Sequence, residues 1–124
     1  MVEMRSCQRK YRRIPVGSDY TVGFRMNGVD LKNIPVSNLS AGGCLALLPK
    51  DLAVNIHHGY LLLDFMLEHK ELPKTPFCSQ VVHLSPGLSG PDGEAVGFGI
   101  SFLSTSPNFY AWVDAYIAER SSTH

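Results

Sequence analysis

Residues 95–102 alternate without interruption. Val96, Phe98, Ile100 and Phe102 fall on one side, and Ala95, Gly97, Gly99 and Ser101 fall on the other. Strict period-two patterning over this length is that of a β-strand with one face in a core. A helix would scatter those four large side chains around its circumference. The second face carries only small residues, which lets a neighbouring backbone or a ligand come close. The chain must therefore build a sheet around this strand.

Weaker signals of the same kind run through the rest of the sequence. Tyr20, Val22, Phe24 and Met26 alternate with Thr21, Gly23 and Arg25, and Asn27-Gly28 follows. Both of these residues tolerate the positive φ of a type I′ turn, so a hairpin is expected there. Val29 and Leu31 begin the return strand, and the apolar phase then shifts to Ile34 and Val36. That shift predicts a bulge near Asn33, with Pro35 at an edge or bulge. Cys44 to Leu48 predicts a short buried strand, and residues 49–55 a connection containing one helical turn. The apolar run 60–68 predicts a strand buried on both sides. Residues 77–84 predict another strand, and 85–94, with two prolines and three glycines, a loop.

The last segment switches period. Ser106 is a good N-cap, and Pro107 suits the first helical position, where a missing N–H costs nothing. Phe109, Trp112, Val113, Tyr116 and Ile117 then form one apolar stripe at helical spacing. Six strands and this helix predict a mainly β fold: a six-stranded antiparallel barrel over residues 17–124, with a C-terminal amphipathic helix at about 106–120. Residues 1–16 show little apolar periodicity and read as an extended, basic N-terminal arm.

At 124 residues the chain makes one domain, able to bury roughly two-thirds of its unfolded surface. Its zero formal charge hides an asymmetry, with residues 1–13 at net +4 and the remainder at net −4. A cationic arm on a mildly acidic body suits a local anion site better than a nucleic-acid-binding face. Cys7, Cys44 and Cys78 are odd in number and scattered, so neither a disulfide framework nor a zinc ribbon is indicated, and Cys44 and Cys78 read as buried thiols. The basic N-terminus is not followed by the apolar stretch of a signal peptide, and the run from Tyr60 to Leu67 is broken by Asp64 and too short to span a bilayer. A cytoplasmic location without membrane attachment is expected.

Catalysis is not expected. His57, His58, Asp64, His69 and His83 are of metal-ligating types, but adjacent histidines on a strand face opposite ways and no helical His-x-x-x-His occurs. These histidines read as surface or turn residues. Neither a Gly-x-Ser-x-Gly nucleophile elbow nor a P-loop is present.

Two short elements carry the binding chemistry. Gln8-Arg9-Lys10-Tyr11-Arg12-Arg13 supplies two arginines four residues apart, Arg9 and Arg13. A guanidinium stays charged, presents five fixed donors and stacks on flat rings. It therefore suits both a phosphate and a guanine edge. Asn38-Leu39-Ser40-Ala41-Gly42-Gly43 lies between two expected strands. Asn38 offers a donor and an acceptor, and Ser40 a small hydroxyl. Ala41, Gly42 and Gly43 leave backbone amides accessible and permit positive φ for a tight turn. Alone, the first element is an ordinary solvated arm and the second an ordinary turn; their conjunction is what points to a site.

Together these elements resemble the signature of the PilZ domain, the bacterial receptor module for cyclic di-GMP. Arg12-Arg13-Ile14-Pro15-Val16 is similar to that family's entry into its first strand. Gly99-Ile100-Ser101-Phe102 and the serine-proline helix start are similar to its last strand and closing helix. The resemblance implies a six-stranded barrel whose arm folds over cyclic di-GMP. Arg9 and Arg13 would clamp phosphates and bases, Asn38 and Ser40 would contact guanine, and Gly43 would shape the turn. Gln8, Lys10, Arg12, Ala41 and Gly42 are further candidate contacts. Many members carry another arginine where this chain has Gln8, a position that bears on whether one ligand or a stacked pair is bound. Stoichiometry is therefore open.

The resemblance further implies a receptor or adaptor without a cofactor, signalling to an effector protein that the sequence does not identify, as a monomer or a ligand-dependent dimer. Ordering of the arm would be its switch. The alternative is a PilZ-like interaction module that binds no nucleotide, as in type IV pilus assembly; the intact Arg9, Arg13, Asn38, Ser40 and Gly43 favour the receptor. A single-stranded nucleic-acid binder is disfavoured by the acidic body and by the lack of basic residues interleaved with aromatics.

Overall fold

The structure, a computed structural model, describes residues 13–17, 19–53, 56–90, 93–103 and 105–121. Seven strands occur in chain order: β1 (Ile14–Pro15), β2 (Thr21–Met26), β3 (Val29–Ser40), β4 (Gly43–Pro49), β5 (Leu61–Leu67), β6 (Phe77–Gly90) and β7 (Gly93–Phe102). A 3-10 turn (Lys50–Ala53) follows β4, and one helix, α1 (Pro107–Ser121), ends the described chain. All pairings are antiparallel. Six strands close in the order β3-β2-β5-β6-β7-β4 and back to β3, and β1 lies outside this ring on β3. Closure leaves the barrel with no free sheet edge.

Closure depends on β3, which is long enough to serve two neighbours in succession. Its first half pairs with β2, from Met26↔Val29 to Thr21↔Pro35, and its second half with β4, from Val36↔Ala46 to Ser40↔Gly43. Asn27 and Gly28 both take positive φ in the β2–β3 turn, as a type I′ hairpin requires. The expected bulge is present. The register slips between the Val22 and Phe24 pairs, and Asn33 has φ 59°.

β1 occupies the same edge of β3 as β2 does, one step further along. Val16 donates its N–H to the Ser37 carbonyl at 3.1 Å, and Val36 donates to the Tyr20 carbonyl at 3.1 Å. Part of the segment read from sequence as arm is thus a docked strand, held because Ile14 packs against the core.

The interior is built from the inward faces of the strands around a cluster of aromatic rings. Phe65 is wholly buried, with ring centroids 5.7 Å from Phe24 and 5.5 Å from both Phe77 and Phe102. Helix α1 caps this cluster. Ser106 accepts the Phe109 N–H through Oγ at 3.1 Å, the N-cap expected from sequence, and the Phe109 ring packs edge-on against Phe77 at 5.0 Å.

Several sequence expectations need correction here. Most of the expected loop at 85–94 is strand, because β6 continues to Gly90 and β7 starts at Gly93. A register shift between Ser85 and Leu88, with Gly87 at φ 79°, absorbs Pro86 and lets the hairpin run on. Strand β5 is not buried on both sides, since Leu61 and Leu63 are exposed, and a bulge with Asp64 at φ 50° breaks its alternation. Within the helical stripe, Phe109, Val113, Tyr116 and Ile117 are buried, but Trp112 is 47% exposed. Cys44 is buried as expected, whereas Cys78 is only half-buried.

His69, read from sequence as a surface or turn residue, is buried. It stacks on Tyr20 with ring centroids 4.0 Å apart. The Glu71 N–H donates to its Nδ1 at 3.1 Å, so the ring proton sits on Nε2, 3.2 Å from Asp19 Oδ2. Beside this stack, Tyr116 donates its hydroxyl hydrogen to Glu71 at 2.8 Å and accepts from Tyr20 and from Arg120. Arg120 also pairs with Glu71 and lies over the Tyr116 ring. This polar hub latches the end of α1 to the β1–β2 and β5–β6 connections.

The hub makes helix docking sensitive to acid. The Tyr116 hydroxyl, and then the Arg120 guanidinium, hold the Glu71 carboxyl below its ordinary value of 4.5. A depressed carboxyl pKa contributes stability above the unfolded value, and that stability is lost as pH falls through the folded one. Trp112, the single tryptophan of the chain, stacks on Tyr116 at 5.6 Å and reports on the latch. Its fluorescence is expected to change on acidification below pH 4.5, before global unfolding. In Glu71→Gln the spectrum at neutral pH should already resemble the acid form. Superimposable acid titrations of wild type and variant would rule this latch out.

Candidate functional site

The β3–β4 hairpin is tighter than the sequence suggested. Asn38, Leu39 and Ser40 belong to β3, Gly43 begins β4, and only Ala41 and Gly42 form the turn. Ser40 is buried and staples it, because its Oγ accepts the N–H groups of Gly42 at 3.2 Å and Gly43 at 3.1 Å. The same hydroxyl donates to the Gly43 carbonyl at 3.3 Å. Outside the hairpin, the Gly42 carbonyl accepts the Phe102 N–H from β7 at 2.8 Å.

Gly43 is required here for a reason other than the expected one. Neither Gly42 nor Gly43 is among the positive-φ residues. Instead, a Cβ on Gly43 would lie 2.1 Å from the Ile100 carbonyl oxygen, so only glycine lets β4 approach β7 at this point.

β1 brings Arg13 to this hairpin. With Ile14 opposite Leu39 and Pro15 opposite Asn38, the next step along the register sets Arg13 level with Ser40. Arg13 is exposed. Its charge is felt at Cys44, where it opposes the burial that pushes the thiol up to about 12. The guanidinium is therefore near the start of β4, beside the turn.

Asn38 lies on the face of β3 opposite to the inward Leu39. Its side-chain Oδ1 is buried with no hydrogen-bond partner among the described residues. An acceptor left in that state costs roughly 1–3 kcal/mol, and such an atom in a folded protein calls for a partner. Cross-strand register continues from it in an outward-facing row: Pro15 opposite Asn38, Asn38 opposite Leu45, and Leu45 opposite Gly99. The small-residue face of β7 seen in the sequence thus adjoins the hairpin. Leu45 carried no sequence signal of its own, because only the register sets it between Asn38 and Gly99.

The site residues read from sequence divide as follows. Arg13, Asn38, Ser40, Ala41, Gly42 and Gly43 come together around one hairpin; Gln8, Arg9, Lys10 and Arg12 lie outside the described residues. A mainly apolar hollow of about 410 Å³ opens where β3 and β4 splay, lined by residues such as Ile34, Pro35, Leu47 and Leu52, and none of the motif residues reaches it. Among the described residues, no group of three or more His, Cys, Asp or Glu side chains is arranged to hold a metal ion. No described helix is long and apolar enough to cross a membrane.

No family model matches this sequence. No curated protein matches it either. Solved structures do. The PilZ domain with c-di-GMP of YcgR from Escherichia coli shares 18% identity over 94% of this chain and 99% of that one, with a TM-score of 0.67. The K. pneumonia MrkH–c-di-GMP complex shares 16% identity over 91% of this chain and 52% of its own, with a TM-score of 0.74. The Bacillus subtilis inhibitor of motility, MotI/DgrA, shares 16% identity over 91% of this chain and 51% of its own, with a TM-score of 0.71. The chain therefore has the PilZ-domain fold: a closed six-stranded antiparallel barrel with one outside strand and a single C-terminal helix. It spans nearly all of the isolated YcgR domain and about half the length of the MrkH and MotI chains.

Proposed function

We propose that this chain is a non-enzymatic receptor for cyclic di-GMP. It holds the dinucleotide between Arg9 and Arg13 on one side and the Asn38–Gly43 hairpin on the other. The observation that carries this reading is that β1 leads exposed Arg13 to the hairpin, level with Ser40, while Asn38 on the same hairpin keeps a buried Oδ1 with no partner among the described residues. A guanine N–H is a suitable donor for that oxygen, and a phosphate is a suitable partner for the guanidinium. The c-di-GMP complexes of the structural neighbours YcgR and MrkH support the same ligand.

Ser40 contributes through the turn it braces, since its hydroxyl is already engaged by Gly42 and Gly43. On binding, the basic arm that leads into β1 folds over the ligand. The ordered arm then presents a new surface to a cytoplasmic protein partner, with the receptor acting as a monomer or a ligand-dependent dimer.

Isothermal titration with cyclic di-GMP, with GTP and linear pGpG as controls, tests this directly. Each charge-assisted hydrogen bond contributes roughly 1.5–3 kcal/mol. Arg13→Ala is therefore expected to weaken binding on the order of tenfold to a hundredfold. Asn38→Ala is expected to weaken it less, while raising thermal stability slightly by removing the unpaired acceptor. Absence of saturable heat with the intact protein would overturn the receptor reading.

A further inference from the structure

We propose that His83, on β6, forms a base-stacking subsite at the far end of the same outward row, and that this subsite selects a cyclic dinucleotide over a single nucleotide. This inference rests on the receptor reading above. The row that runs Pro15, Asn38, Leu45, Gly99 continues to His83, which lies directly opposite Gly99. His83 is there because the β6 register shifts between Val81 and His83. Val81 is wholly buried, and the shifted His83 is turned to the exposed face.

Gly99 leaves a bare place between Leu45 and His83. A Cβ built on Gly99 would lie 2.8 Å from His83 Cβ, so only a glycine lets β7 pass this close to the histidine's base. The imidazole has no hydrogen-bond, ionic or ring partner among the described residues, unlike His57, which packs on Tyr60, and His69, which stacks on Tyr20. Its ring is available to a ligand. Leu45, half-buried and paired opposite Gly99, lays its Cδ1 over neighbouring Gly97, 3.3 Å from a Cβ built there, and so flanks this place with an apolar edge.

The spacing determines which ligand can use both ends. Adjacent strands are about 4.8 Å apart, so His83, three strands from Asn38, lies roughly 14 Å away from it. One nucleotide whose base is held at Asn38 and whose phosphate is held at Arg13 has nothing left to reach His83. A second base, carried on the other side of a cyclic phosphodiester ring, can lie flat over Gly99 with the imidazole against its face. Aromatic–base stacking tolerates either purine, so the subsite reads the presence of a second base rather than its identity.

The test is titration of wild type, Arg13→Ala, His83→Ala and His83→Phe with cyclic di-GMP and with GMP. Loss of one stacking partner is expected to weaken cyclic di-GMP roughly tenfold in His83→Ala. Phe restores a flat ring without hydrogen-bonding nitrogens and should return affinity to within about threefold of wild type, as expected for stacking. GMP affinity should be equal in wild type and His83→Ala. On complex formation, the His83 ring protons should shift upfield in the NMR spectrum, as they do under a stacked purine. If wild type binds cyclic di-GMP and Arg13→Ala does not, but His83→Ala matches wild type, the subsite is wrong and the receptor reading stands. If His83→Phe is as weak as His83→Ala, stacking is overturned. If wild type binds no cyclic di-GMP, both proposals fall together.

Discussion

Gly43→Ala is expected to destabilise the barrel by about 3 kcal/mol, near the upper end of overpacking costs. For a domain of this size that lowers the melting temperature by roughly 10 °C. The added methyl would meet the Ile100 carbonyl oxygen at 2.1 Å. The obstacle is backbone in the middle of a paired strand, not a side chain that can rotate away. Relief requires β4 to move off β7, which breaks the Gly43↔Ser101 pairing and loosens the Phe102 N–H bond to Gly42. Because Ser40 and Asn38 are carried by the same hairpin, ligand affinity should fall with stability. Gly28→Ala is the informative control. Gly28 has φ 76° and nothing near its missing Cβ, so alanine there incurs only left-handed strain, about 1 kcal/mol. Urea unfolding of both variants decides the matter. A Gly43→Ala loss no larger than that of Gly28→Ala would show that close approach is not what this position demands.

Phe65→Ala is expected to remove about 3–5 kcal/mol, as deletions of buried aromatic side chains do. Domains of this kind have only about 5–15 kcal/mol in total, so a substantial unfolded fraction at 37 °C should follow. Phe65 is wholly buried and its ring touches those of Phe24, Phe77 and Phe102. These four side chains come from β2, β5, β6 and β7, and Phe77 in turn carries Phe109 of α1. The cavity therefore opens where sheet and helix meet, and no single neighbour can fill it. Phe65→Leu keeps most of the volume and should lose less than half as much. The midpoint of urea denaturation measures both, and a loss below 1.5 kcal/mol for alanine would mean that the site collapses around the gap.

Features encoded within a few residues of one another could be read directly. Asn27-Gly28 carries its own turn chemistry, the phase slip from Leu31 to Ile34 carries the bulge at Asn33, and Ser106-Pro107 carries the helix start. Each depends on backbone preferences that act over one turn or one pleat. The motif residues were legible in the same way, since Arg13, Asn38, Ser40 and Gly43 are recognisable by type and spacing. The structural reason for each residue was less so. Gly43 looked like a residue chosen for a positive φ, and only its contact with Ile100, more than fifty positions away in sequence, gives the steric reason.

The tertiary structure decided everything that depends on which strand lies beside which. It extended β6 and β7 through residues that look like a loop, because a closed barrel gives Pro86 and Gly87 a bulge to occupy. It buried His69 by supplying Tyr20, Asp19 and Glu71 around it, and it left Trp112 exposed beside Tyr116. It also brought Arg13 level with Ser40 on the hairpin that carries Asn38, and ran one outward row from Asn38 through Leu45 and Gly99 to His83. Local pattern specified the kind of element at each place and the chemistry available on it. Register and closure were decided by the burial of faces between distant strands, a free energy that belongs to the assembled core and to no local pattern.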